Sequence, residues 1–228
     1  MIALTVAVAS ALLVRAASAT TVLAHFMVQN AYAYDVNQWE TDIAAAQQIG
    51  VDGFALNWIP PDCDSGLDWM VTAIDDAYTA AENKGFSLVH SFDMSYSECT
   101  VYWNTTFMAS MVNKYADSSA TYKWNNVPLV TTYGGDQVSE YGNSFFQDLK
   151  SSVDITLAPA LTEYSMGAQT SPTSSASTLF SDYPSIDGYL NWQAWPLNID
   201  NNMTTTPDAA FQSALKSASR SGPYIMGE

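Results

Sequence analysis

Val51-Asp52-Gly53-Phe54-Ala55-Leu56-Asn57-Trp58 is an apolar run that ends in an amide and an indole, and Ile186-Asp187-Gly188-Tyr189-Leu190-Asn191-Trp192 echoes it far downstream. Each run is too short for an ordinary helix and has the composition of a strand buried on both faces. Similar runs occur at residues 21–28, 85–92, 127–133, 154–160 and 223–226, so seven strands are expected. Their starts lie roughly 30–40 residues apart, the length that one βαβ unit needs.

The intervening segments carry helical spacing. Trp39, Ile43, Ala46 and Ile49 recur on one face, and Gly50 supplies a C-terminal stop. A second helix is expected over 67–83, with shorter ones over 107–115, 145–151 and 208–218. Strand alternating with helix means a parallel sheet. A doubly wound sheet would place a Gly-rich phosphate loop after its first strand, whereas His25-Phe26-Met27-Val28-Gln29-Asn30 stands there. Polar and aromatic residues instead gather where strands end, as in a (β/α)8 barrel. The expected architecture is a TIM-barrel-like α/β fold. Seven strands are one short of closure, which predicts a barrel truncated after about seven strands.

The chain has 228 residues, 48 % hydrophobic and 13 % aromatic, enough for a large core. Asp and Glu number 23 against 7 Lys and Arg, a net charge of −16. So acidic a surface repels phosphate backbones and anionic lipid, which excludes nucleic-acid and membrane partners. Residues 1–19 have an apolar stretch too short for a bilayer anchor, closed by Ala17-Ser18-Ala19, and are expected to be a cleaved secretory signal. The domain would then run over 20–228. Asn104-Thr105-Thr106 and Asn202-Met203-Thr204 are N-glycosylation sequons that predict exposed asparagines. Cys63 and Cys99 are either one disulfide or two buried thiols. Neither has the neighbours a metal site needs, and no cofactor or metal is expected.

Scarce charge with seven Trp and thirteen Tyr suits a secreted carbohydrate-active protein. The candidates for substrate binding lie where strands end: His25, Asn57, Trp58, Asp93, Tyr133, Glu163, Trp192 and Trp195. Asn191-Trp192-Gln193-Ala194-Trp195-Pro196, two indoles with interleaved amides, is the best sugar platform. Asp93 and Glu163 are the best-placed carboxylates, although Asp93 could equally cap the loop that follows it. His90 shares a face with Leu88 and Phe92 and is expected to point away from the barrel axis. No nucleophile elbow, zinc helix or phosphate loop is present.

Val22-Leu23-Ala24-His25-Phe26-Met27-Val28, Trp39-Glu40-Thr41-Asp42-Ile43, Asp52-Gly53-Phe54-Ala55-Leu56-Asn57, Ser91-Phe92-Asp93-Met94-Ser95 and Asp187-Gly188-Tyr189-Leu190-Asn191-Trp192 follow one another in order. With these segments the chain resembles glycoside hydrolase family 71, the fungal α-1,3-glucanases called mutanases. The resemblance implies a metal-free barrel that hydrolyses internal α-1,3-glucosidic bonds of cell-wall glucan with inversion. It implies a secreted or wall-bound monomer whose partner is the polysaccharide. The family's Asn-Asp-x-Gly-Glu-Ser type motif, thought to hold its acid and base, has no counterpart here. The expectation is a chain that keeps subsite residues and lacks the catalytic pair, whose catalytic residues are therefore unassigned. Two rivals stand beside it: a non-catalytic α-glucan-binding protein, and a complete glycosidase pairing Asp93 with Glu163.

Overall fold

A computed structural model describes residues 20–63, 69–96, 99–193, 195, 196 and 202–227. The expected signal segment, residues 1–19, and the expected helix start at Leu67 lie outside the described residues. Strands and helices alternate in the order β1 (Leu23–Met27), α1 (Val36–Gln48), β2 (Gly53–Trp58), α2 (Trp69–Lys84), β3 (Ser87–Asp93), α3 (Thr105–Tyr115), β4 (Lys123–Trp124) and β5 (Val127–Tyr133). Then follow α4 (Asn143–Ser152), β6 (Thr156–Leu157), α5 (Thr162–Ala168), α6 (Pro172–Asp182), β7 (Tyr189–Asn191), α7 (Thr206–Ser217) and β8 (Tyr224–Met226).

The neighbouring pairs β1–β2, β2–β3, β3–β5, β5–β6 and β7–β8 are all parallel. Backbone bonds from Asp187 and Gly188 to the Leu157 carbonyl, and from Leu190 to that of Pro159, carry the series from β6 to β7. Seven parallel strands thus stand side by side, as the spacing of the apolar runs predicts. They curve around an axis. Val89, Leu129 and Ala158 pack with Leu23 of β1 and Ile225 of β8 in one inner cluster, although β1 and β8 are the two ends of the series. A larger cluster fills the space between the outer strand faces and the helices.

Strand alternation sorts the residues. Phe54, Leu56 and Trp58 of β2, with Leu88 and Phe92 of β3, belong to the outer cluster and are buried under the helices. Gly53, Ala55 and Asn57, and Val89, Ser91 and Asp93, therefore line the inner face. His90 falls on the outer side, fully enclosed among Tyr78, Phe92 and Tyr115 rings.

Helix starts follow from local chemistry. Asp35 caps α1 by accepting the amides of Asn37 and Gln38, while Gln38 Oε1 accepts the Asp35 amide, a reciprocal capping box. Trp39, Ile43 and Ala46 form its buried stripe, as their spacing predicts. Asn104 Oδ1 caps α3 through the amides of Thr106 and Phe107.

Two features depart from the expectation. The short strand β4 forms an antiparallel hairpin with β5, turning through Asn125 and Asn126 at φ 51° and 68°. Paired asparagines tolerate that left-handed turn. The hairpin reaches under the barrel, where Trp124 Nε1 donates to the Ser221 carbonyl at 2.8 Å. In addition, α5 and α6 occupy a stretch in which no helix is expected. The polar, Ser- and Thr-rich α6 has a weak intrinsic signal and is held by burying Ala176, Leu179 and Phe180.

Candidate functional site

The C-terminal ends of the parallel strands carry the polar and aromatic residues, the place where barrels of this type build their sites. Trp192, one residue past β7, is central. Its indole lies edge-on to the His25 ring of β1, centroids 4.9 Å apart, and tilted against Tyr133 of β5 at 4.6 Å. It therefore spans the barrel mouth between two strands that are separated in the sheet by β2 and β3. A cavity of about 430 Å³ opens beside it, lined among others by Tyr133, Gln137, Thr162, Trp192, Gln193 and Trp195. Trp195 is 54 % exposed and offers its ring to solvent, while the buried Gln193 side chain donates back to the Trp195 carbonyl.

Asp93 ends β3 and stands opposite Tyr133 in the strand register. It lines a second cavity of about 200 Å³, together with Ser95, Tyr96, Tyr102 and Tyr141. Its Oδ1 accepts the Ser95 amide at 3.0 Å, and its carbonyl accepts Trp103 Nε1 at 2.7 Å. Both roles weighed for it thus coexist, a loop cap and a carboxyl at the rim. Burial pushes the Asp93 pKa up, against the smaller opposing pull of the Ser95 amide. Burial, followed by the charges of Asp93 and Asp136, also raises that of Tyr133. Enclosure lowers the His25 pKa and favours its neutral form.

Ser95 joins the two cavities. It lines both, and its Oγ accepts the Gly135 amide at 2.8 Å. The Gly134-Gly135 turn sits so close that a Cβ on Gly134 would fall 1.8 Å from Ser95 Oγ. Both glycines have positive φ, 63° and 97°. Close backbone approach and left-handed torsions together account for this pair.

Two candidates sit elsewhere than expected. Trp58 is fully buried, packed against Phe92 at 5.7 Å and Trp103 at 5.0 Å, and presents no face to a ligand. The reason is parity: an odd step along β2 separates it from the inward Asn57. Glu163 is exposed on the first turn of α5 and lines neither cavity. Its backbone amide, with that of Thr162, donates to the Asp136 carboxylate, which caps the helix from the loop after β5. An acidic side chain there suits the helix dipole. Among the described residues Asp93 is the one carboxylate lining either cavity.

Asn57 is inward and 1 % exposed, one residue short of the rim. Asn104 and Asn202 are both exposed. Cys63 and Cys99 are joined as a disulfide, Cα atoms 5.0 Å apart, tying the loop after β2 to the loop after β3. Sequence reasoning missed Ser95 and Gln137 as lining residues; their only signal is proximity to a strand end. Among the described residues no group of three His, Cys, Asp or Glu side chains is placed to hold a metal ion.

The indoles of Trp192 and Trp195 thus stand at the mouth of a parallel barrel, with the Gln193 side chain beside them. Residues 18–227 match the model of glycosyl hydrolase family 71, and the chain belongs to that family. It is 32 % identical over 208 residues to the glucan endo-1,3-alpha-glucosidase agn1 of Schizosaccharomyces pombe, an alignment covering 86 % of this chain and 43 % of that protein. It is 31 % identical over 200 residues to the mutanase Pc12g07500 of Penicillium rubens, covering 83 % and 39 %. The ascus wall endo-1,3-alpha-glucanase of S. pombe is 29 % identical over 195 residues, covering 83 % and 42 %. The chain thus spans less than half the length of these relatives. Among solved structures, a family-99 endo-alpha-mannosidase of Bacteroides thetaiotaomicron shares the fold at a TM-score of 0.54 and 11 % identity, over 84 % of this chain and 56 % of that one.

Proposed function

We propose that the chain is the sugar-binding barrel of a secreted glycoside hydrolase that cuts internal bonds of α-1,3-glucan with inversion. The observation that carries the reading is Trp192, whose indole closes the barrel mouth between His25 and Tyr133 above a polar interior. Aromatic faces stack on the apolar faces of sugar rings. Amides and carboxyls beside them bond the hydroxyls, and Asn57, Asp93 and Gln193 are the groups in place. Relatives named for α-1,3-glucan hydrolysis supply the linkage. Asp93, with its raised pKa, would hold a proton to higher pH than an ordinary carboxyl and donate it to a sugar oxygen.

Inversion needs a second carboxyl about 6.5–9.5 Å from the first, leaving room for water. Glu163 is exposed on α5 and lines neither cavity, which speaks against pairing it with Asp93. A second reading is a protein that binds α-1,3-glucan without cutting it, its sugar platform being Trp192 and the exposed Trp195. Exposed Asn104 and Asn202 and the disulfide suit a secreted, wall-associated protein, and the acidic surface suits a monomer. The test is release of reducing ends from insoluble α-1,3-glucan by the folded chain, with β-1,3-glucan as control. Release from the α-linked polymer alone supports the hydrolase; retention on it without release supports the binding reading. Neither release nor retention would contradict both.

A further inference from the structure

We propose that Asn57, Ser91 and Thr131 form a polar floor that hydrogen-bonds the hydroxyls of the glucose unit taken up against Trp192. The inference rests on the α-1,3-glucan reading and adds Ser91 and Thr131 to the recognition surface. The parallel registers set the three side by side, Asn57 opposite Ser91 and Ser91 opposite Thr131. All three are inward by strand parity, and their exposures are only 1 %, 1 % and 2 %. One inward step toward the rim stand Asp93 and Tyr133, and one step below lie the apolar Val89 and Leu129. A polar row is thus placed between an apolar layer and the mouth.

Asn57 Nδ2 and Thr131 Oγ1 are buried and have no hydrogen-bond partner among the described residues. Folds seldom leave buried donors and acceptors unmade unless something else satisfies them. A hydroxyl, donor and acceptor at once, suits both a threonine oxygen and an amide N–H. Trp192 touches His25 of β1 and Tyr133 of β5, the two strands that flank β2 and β3 in the sheet. A sugar that displaces the indole from His25 comes within reach of it. The competing occupant is a permanently bound water, which would satisfy the same atoms and recognise nothing.

The two are separated by titrating nigerotriose, the α-1,3-linked glucose trimer, into the wild type and into Thr131→Val, Ser91→Ala and Thr131→Ser, with thermal unfolding of each. The proposal expects Thr131→Val and Ser91→Ala each to weaken binding about tenfold. Thr131→Ser, which keeps the hydroxyl, should bind within about twofold of wild type. The Tm of Thr131→Val should match or exceed that of wild type, because an unpartnered buried hydroxyl has been removed. Unchanged affinity in both Thr131→Val and Ser91→Ala would assign the row to structural water and overturn the proposal. A folded wild type that does not bind nigerotriose would instead overturn the glucan reading on which it stands.

Discussion

The Trp192 indole rests edge-on to His25 at 4.9 Å and against Tyr133 at 4.6 Å, so a single side chain ties the first parallel strand to the fourth across the barrel mouth. It does so from the end of a strand of three residues, held by two buried oxygens. Ser165 Oγ accepts the Trp192 amide at 3.2 Å, and Tyr189 OH donates to the Leu161 carbonyl at 2.8 Å. The first of these bonds fixes the backbone from which the indole projects.

Replacing Trp192 with alanine removes the stacking face and leaves that backbone intact. Affinity for nigerotriose should fall by about tenfold or more, while Tm moves little, because the ring is only partly buried. Isothermal titration with a parallel melt checks it. Undiminished binding would move the site away from the barrel mouth.

His90 predicts a pH dependence. It is buried among aromatic rings, neither ring nitrogen is partnered among the described residues, and burial lowers its pKa from 6.5 to about 4. The unfolded chain therefore binds more protons than the folded one between those values, so stability rises with pH across the window. The contribution is complete above pH 6.5, is reduced by about 2 kcal/mol at pH 5, and is lost by about pH 4. His90→Phe should flatten this part of the urea-midpoint profile against pH. A mutant profile that keeps the wild-type slope between pH 4 and 6.5 would contradict the assignment.

Gly134→Ala should cost about 3 kcal/mol in urea denaturation. Two effects add: φ at 63° is unfavourable to alanine, and the new Cβ meets Ser95 Oγ at 1.8 Å. Ser95→Gly in the same chain should recover part of the loss by clearing the collision. No recovery would mean that the torsion alone is responsible.

Reducing the Cys63–Cys99 bridge frees a loop closed over a sequence separation of 36. Chain entropy assigns that closure about 4 kcal/mol. The melting temperature of the double variant Cys63→Ser, Cys99→Ser should drop, and that of the wild type should drop likewise in dithiothreitol. Insensitivity to reductant would mean that the cysteines are not bridged in solution.

Much of this was legible in the residues, for stated physical reasons. Strands buried on both faces show as dense apolar runs, which is why all seven parallel strands were expected where they lie. Parity along β3 places His90 outward with Leu88 and Phe92, as found. The same rule separates inward Asn57 from outward Trp58 at the end of β2, although both stand at a strand end in the sequence. Glu163 stands on α5, a helix capped from a distance by Asp136, 27 residues earlier, which no local pattern announces. The inner row of Asn57, Ser91 and Thr131 depends on register between strands, and register is set by tertiary packing rather than by any one segment.

The most direct measurement is co-sedimentation of the folded chain with insoluble α-1,3-glucan, alongside β-1,3-glucan and cellulose, for wild type and Trp192→Ala. Retention of wild type on the α-1,3-linked polymer alone, lost in the variant, is the result expected. Equal retention on all three polymers, or retention that Trp192→Ala leaves untouched, would contradict a barrel mouth built to take α-1,3-glucan against Trp192.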